Sequence, residues 1–386
     1  MKPVRPDFLA FGRPNFSEEE IAAVTRVIRS GWIGMGAETI AFERELAEFT
    51  HAPFVVTVSS CTAALHLSLV ALGVGPGDEV VCPSLTWCST ANAALYVGAT
   101  PVLCDVDPGT LSVTPETVRA CVTPRTRAVM VVHMGGLAMD VKALRQALPA
   151  HVAIVEDAAH ALGARYPDGS AVGSSGNLTC FSFYANKNLS TAEGGAVALA
   201  DAGHAESLRS LRQHGLASDA WKRYIEPTKA IVPGVVSLGY KANYTDLQAC
   251  IGRVQLRRQP EFHRIRLGIA RRYRDRLAGG PLPLAFQASA FEERHARHLM
   301  VVVLPIDGLR RSRNEILLAL RERNIGASIH YTPLHRMPLY APFSRALPET
   351  DRLADRIMTL PIGAAMTVTD VDDVADQLLE LLGKSV

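Results

Sequence analysis

Lys187 follows the apolar run TCFSFY and precedes the pair Gly194–Gly195. An amine at the end of a buried strand is partly stripped of water and can condense with an aldehyde; in an open loop it is only a solvated charge. Asp157 ends the run HVAIVE, and an ionised carboxylate at that depth needs a cation or hydrogen-bond donors. A protonated pyridine nitrogen is one such partner, and its charge turns the ring into an electron sink; an internal ion pair is the other reading. The adjacent Glu156 falls on the opposite face by strand alternation. In SSCTAALHL, Ser59, Ser60 and Thr62 lie between a strand and a helix start. Free amides and the helix dipole there favour an anion, although such hydroxyls also serve as plain N-caps. Ser182 stands five residues before Lys187 and can reach the same anion. Trp87, after Pro83, either stacks flat on an aromatic ring or packs in the core. An amine, a carboxylate, a phosphate cup and a stacking face are together what pyridoxal 5'-phosphate requires.

The elements that must position these groups alternate. Phe54 to Ser59, Glu79 to Cys82, Pro101 to Cys104, Ala128 to His133, Ala153 to Glu156, Thr179 to Phe183 and Ala196 to Leu199 read as strands. Thr62 to Leu72, Ser89 to Val97, Thr114 to Cys121 and Val141 to Leu148 show helical periodicity between them. Continuous apolar strands with helical crossovers predict an α/β fold around a mostly parallel, seven-stranded sheet. Ligands in such sheets collect beyond the carboxyl ends of the strands, where SSCT, PSLTW, DVD, HMGG, EDAAH and SFYANK fall.

After residue 240 the pattern changes. A long helix over Thr245 to Glu261, a basic helix over Arg264 to Leu277 and a break at GGPLP are expected. One strand in HLMVVVLP, a helix over RNEILLALRERN and a final helix from Val371 to Leu382 follow. The expected division is a large domain over 1–250 and a smaller α+β domain over 251–386.

Forty Lys and Arg against 38 Asp and Glu leave a net charge of +2, which argues against nucleic acid as a partner. No apolar run approaches the ~20 residues that span a bilayer, so no membrane partner is expected. The start MKPVRPDFLAFGRP lacks an apolar signal core, and a cytoplasmic location is expected. Seven cysteines, none in a CxxC pair, read as free thiols, with no structural metal. No GxGxxG follows a strand, which removes the nicotinamide-binding signature.

The chain resembles the sugar aminotransferases of the DegT/DnrJ/EryC1/StrS family over nearly its whole length. The resemblance is carried by FGRPNFSEEEIAAVTRVIRSGWI, SSCTAALHLSL, GDEVVCPSLTW, TPVLCDVD, VEDAAHALGA, FSFYANKNLSTAEGGA, GYKANYTDLQA and IHYTPLH. Within the family it looks most like the branch that makes UDP-4-amino-4-deoxy-L-arabinose, judged by PSLTWCSTAN, TLSVTPE, HGL and GYKANYTD. The resemblance implies the fold-type I, aspartate aminotransferase-like architecture and pyridoxal phosphate as cofactor. It makes Lys187 the lysine that carries the cofactor and Asp157 the partner of its ring nitrogen. His160 falls near the phenolic oxygen, Cys61, Thr62 and Ser182 line the phosphate, and Trp87 covers the ring. Asn243 corresponds to a residue that reaches the phosphate from the partner subunit, which implies a homodimer with shared active sites. The expected reaction moves an amino group from an amino acid, glutamate, to a nucleotide-linked 4-keto pentose or 6-deoxyhexose, for antibiotic or cell-surface glycan synthesis. Met35, His330 and Tyr331 are expected to wall the sugar; Gly34 and Met35 depart from the two hydroxyls usual at that point. The rival readings are a 3-keto sugar as acceptor, or a non-catalytic regulator that keeps the fold. The intact Lys187 and Asp157 argue against the regulator, and Lys187 also against a dehydratase branch that carries His there.

Overall fold

The computed structural model describes residues 5–217, 234–280 and 282–383. Pro281 of the expected GGPLP break and the last three residues of the expected C-terminal domain lie outside the described residues. Two helices, α1 (Glu18–Ser30) and α2 (Ala37–Thr50), precede the first strand. A Ser17–Glu20 capping box starts α1, closing two otherwise open backbone donors.

The alternation read from the sequence is present. The strands are β1 (Phe54–Val58), β2 (Glu79–Pro83), β3 (Thr100–Cys104), β4 (Thr126–Val132), β5 (Ala153–Asp157), β6 (Leu178–Ser182) and β7 (Gly195–Leu199). Between the first five run α3 (Cys61–Ala71), α4 (Cys88–Tyr96), α5 (Pro115–Arg119) and α6 (Val141–Ala147). The sheet order is β1-β7-β6-β5-β4-β2-β3. β7 pairs antiparallel with both β1 and β6, while the remaining pairs are parallel, so β7 alone is reversed. Successive side chains leave opposite faces: Val129 and Val131 join the core under α2 and α6, and Met130 joins the core under α3 and α4. Helices on both faces are what these two-sided apolar strands require.

After β7 come α7 (Ala202–Leu211), α8 (Asp246–Arg257) and α9 (Gln259–Leu277). The single helix expected over Thr245 to Glu261 is therefore two, interrupted at Arg258. Pro260 sits in the first turn of α9, where its missing N–H costs nothing but where it cannot continue the preceding helix. The boundary expected at 250 falls inside α8, which packs on α1 and α2; contacts turn to the C-terminal elements from α9 onward.

A second sheet was only partly foreseen. Around β9 (Met300–Val303), the strand expected in HLMVVVLP, lie β8 (Ala285–Phe286) and β10 (Ile357–Leu360), both antiparallel to it. With α9, α10 (Arg313–Glu322) and α12 (Val368–Gly383), which follows α11 (Pro348–Ala354), they enclose a separate apolar core. Among the described residues no helix is long and apolar enough to cross a membrane.

Candidate active site

The carboxyl ends of the parallel strands meet a cavity of about 410 Å³ lined by Cys61, Thr62, Trp87, Asp157, His160, Ser182, Lys187, His330 and Tyr331. A wider groove of about 830 Å³ beside α6 holds the Lys142–Asp168 pair and none of the expected site residues.

Asp157 is the last residue of β5 and is buried at the cavity floor. The Thr90 hydroxyl donates to its Oδ2 at 2.8 Å and the Ala159 amide to its Oδ1 at 3.2 Å. Burial raises its pKa, against the pull of these donors and of Lys187. Glu156 faces the other way, as alternation requires, into a closed set of donors: His133, Tyr166, Ser175 and Asn177.

Lys187 lies on the connection between β6 and β7, and burial pulls its ammonium down to about 8. Its Nζ is 3.4 Å from Nε2 of His298. Neither Lys187 nor Asp157 forms an ion pair with another described residue. A fully buried carboxylate with free acceptor capacity, facing an amine of lowered basicity, fits a pyridinium nitrogen and an aldehyde.

At the start of α3, Ser60 is the N-cap, its hydroxyl accepting from the Ala63 amide at 3.1 Å. The cap reading therefore holds for Ser60, and the first-turn amides, which have no acceptor within a helix, open on the cavity beside Thr62. Thr62 Oγ1 lies 2.8 Å from Oγ of Ser89, adding a hydroxyl that the sequence reading missed. The Cys61 thiol turns toward Asp157, 4.0 Å away, and toward the Cys180 carbonyl. Gly195 makes this junction possible: a Cβ there would stand 2.6 Å from the Cys61 nitrogen. Across this junction the Ser182 hydroxyl accepts from the Tyr184 amide at 3.4 Å. These donors fit a phosphate.

Trp87, at the N-cap of α4, is 56% exposed, which removes the core reading; its ring lies 5.8 Å from that of Tyr331. His160 is buried and held neutral, its pKa well below normal because burial and the nearby Lys187 disfavour its charge. Its Nδ1 accepts the Gly135 amide at 3.3 Å, so Nε2 carries the proton and donates to the Tyr331 hydroxyl at 2.9 Å. The Tyr331 proton is thereby left free for the cavity.

Two expected residues stand apart from this cavity. Met35 is buried, its sulfur accepting from Gln213 at 3.5 Å, and Asn243 Nδ2 donates to the Tyr244 carbonyl at 3.2 Å. Conversely, two buried residues behind the lining carry no expectation from the sequence: Thr90, bonded to Asp157, and His298, beside Lys187. Thr90 lies in the first turn of α4, where it reaches Asp157 of β5; His298 carries no local signal, being one histidine before an apolar strand.

The model of the DegT/DnrJ/EryC1/StrS aminotransferase family matches residues 14–379. The spore coat polysaccharide biosynthesis protein SpsC of Bacillus subtilis (strain 168) is 40% identical over 387 residues, covering 98% of each chain. Spr1654 of Streptococcus pneumoniae, solved in its PMP form, has a TM-score of 0.89 at 30% identity, over 97% of this chain and 99% of that one. DesI, solved in the presence of its TDP-sugar product, has a TM-score of 0.88 at 30% identity, over 99% of this chain and 95% of that one.

Proposed function

Since the chain belongs to the DegT/DnrJ/EryC1/StrS aminotransferase family and is a pyridoxal-phosphate-dependent sugar aminotransferase, we propose that it aminates a nucleotide-linked 4-keto sugar. The acceptor in this reading is a pentose or 6-deoxyhexose, the donor is L-glutamate, and the product is a 4-amino sugar for antibiotic or cell-surface glycan synthesis. The observation that carries the reading is Lys187 and Asp157 in one cavity, neither in an ion pair with another described residue. The resemblance to the arabinose branch supports the 4-keto position, and DesI, crystallised with a TDP-sugar product, supports a nucleotide on the substrate. His330 and Tyr331 supply an aromatic wall for a small or deoxygenated C5 position.

Bound pyridoxal phosphate supplies an aldehyde and an electron-withdrawing ring. Lys187 Nζ would hold the aldehyde, and as a free amine it would move a proton as a base, which its lowered basicity suits. Asp157, steadied by Thr90, keeps the ring nitrogen protonated. Thr62, Ser89 and Ser182 bind the phosphate at the start of α3, and Trp87 covers the ring. The Tyr331 hydroxyl, set as a donor by His160, offers a proton to an oxygen in the cavity.

The enzyme acts in this reading as a homodimer. Met35 touches Gln213, which bridges to Lys241, two residues before Asn243. Both residues missing from the cavity thus adjoin one patch, the arrangement needed if that patch completes the partner's site.

Comparing kcat/KM for a 4-keto pentose, a 4-keto-6-deoxyhexose and a 3-keto isomer, with glutamate as donor, tests the substrate. The two 4-keto sugars should differ by roughly 10- to 200-fold, since one carbon in an apolar pocket discriminates only that far. A preference for the 3-keto sugar overturns the regiochemistry.

A further inference from the structure

Four histidines are buried among the described residues: His133, His160, His295 and His298. Three have a fixed tautomer. A backbone amide donates to Nδ1 of His133 (from Met139, 3.1 Å), of His160 (from Gly135, 3.3 Å) and of His295 (from Arg297, 2.8 Å). Each of these rings must therefore carry its proton on Nε2. His298 differs: its Nδ1 is buried and meets no partner among the described residues. Its other nitrogen, Nε2, lies 3.4 Å from Lys187 Nζ.

We propose that His298 is a positioning residue for Lys187, a hydrogen-bond partner whose free tautomer follows the protonation state of the lysine nitrogen. The proposal rests on the reading of Lys187 as the lysine that carries the cofactor. Amino transfer makes Nζ alternate between amine and ammonium. An ammonium offers only protons, so Nε2 must accept and the imidazole proton sits on Nδ1. A neutral amine offers a lone pair, so Nε2 can carry the proton and donate. Because nothing holds Nδ1, neither form loses a hydrogen bond when the ring switches. A ring fixed as His160 is fixed would point an N–H at the ammonium.

The surroundings keep His298 neutral throughout. Burial drives its pKa well below normal, and Lys187, His160, Arg266 from α9 and His330 all oppose a charge on it. The ring also packs on His160, with centroids 4.6 Å apart, which fixes its plane while leaving its proton free to change sides. Around Lys187 itself, Cys61 from α3 and Asp157 from β5 favour the ammonium and burial opposes it; the neutral His160, His330 and Tyr331 complete the wall.

The test uses the full-length enzyme loaded with pyridoxamine phosphate, which leaves Lys187 free. Acetylation of Lys187 by acetic anhydride is followed against pH by peptide mapping, with the surface lysines as internal references. In the wild type the midpoint should fall below the ordinary lysine value of 10.5, because burial opposes the ammonium. The bond to the ammonium is charge-assisted and stronger than the bond to the free amine, so His298→Leu should lower the midpoint by about one unit, a tenfold change in free amine. It should also lower kcat with little change in KM for the keto sugar. His298→Gln, whose amide can accept or donate, should restore both. An unmoved midpoint in His298→Leu overturns the proposal, and so does a His298→Gln variant as impaired as the leucine, which would mark ring volume as the cause. Should the leucine variant not fold, the wild type labelled with 15N-histidine decides: the His298 ring shifts should move as the pH crosses the Lys187 midpoint, and static shifts overturn the pairing. Borohydride label on another lysine, with the pH coupling intact, would remove the cofactor assignment and leave the pairing standing.

Discussion

Glu156 and Asp157, consecutive in β5, open on opposite faces of the sheet and have opposite hydrogen-bond inventories. Glu156 accepts from four side chains, with His133 and Tyr166 at 2.8 and 2.6 Å, and is fully buried. Those donors hold its carboxyl below its usual range despite burial, whereas burial wins at Asp157. One carboxylate is closed within the fold and the other keeps a place for a ligand.

Glu156→Gln should therefore cost stability. An amide turns an NH₂ group toward donors, and the loss should be about 2–3 kcal/mol, read by denaturant unfolding. The kcat of the folded enzyme should stay within a few-fold of wild type; a collapse in kcat with unchanged stability would give Glu156 a direct part in the chemistry.

Asp157→Asn should keep the cofactor bound and slow the half-reaction with glutamate on the order of 10²–10³-fold, because a neutral amide cannot hold a proton on the ring nitrogen. Stopped-flow absorbance measures it. Near-normal rates would make Asp157 a structural carboxylate.

Borohydride reduction of the holoenzyme should place the label in the FSFYANKNL peptide, on Lys187. Lys187→Ala should lose amino transfer by at least about 10³-fold while retaining the fold, since a cavity-lining side chain contributes little to the core. Label elsewhere, or no cofactor absorbance in the wild type, rejects the assignment.

Capture of pyridoxal phosphate by apo-enzyme should depend on pH. Burial lowers Lys187 to about 8, so the charged, unreactive form dominates below that value and the free amine above it. The rate should rise about tenfold per pH unit up to about 8 and then level off. A rise continuing toward 10.5, the ordinary lysine value, would place Lys187 in water.

Mixing inactive Lys187→Ala with an inactive Asn243→Ala variant should restore part of the activity, through heterodimers with one intact composite site. Proven subunit exchange without recovery would count against shared sites.

The central sheet was legible because its strands are buried on both faces: VVTV, EVVC and AVMVV read as strands without knowledge of their neighbours. Asp157, the last residue of β5, is legible for the same reason, and Lys187, five residues past β6, by the apolar run that precedes it. β8 and β10 were not, being two and four residues long and recognisable only through pairing with β9. The break at Arg258 had a signal, Pro260, outweighed by the helical periodicity on either side. His298 reaches Lys187 across 111 positions of sequence, and such a contact leaves no trace in local pattern. Met35 is buried against Gln213 and Asn243 is bonded to the Tyr244 carbonyl, contacts between distant or irregular segments that no local pattern announces.

Trp87 also has an optical meaning. Its indole is more than half exposed at the cavity mouth, within 5.8 Å of the Tyr331 ring. An aromatic ligand settling beneath it would take up its excited-state energy, so the arrival of cofactor should be visible as quenched indole emission, and Trp87→Phe should remove most of that signal. A residue proposed to cover the ring would thus double as an internal reporter of occupancy, readable without any added dye.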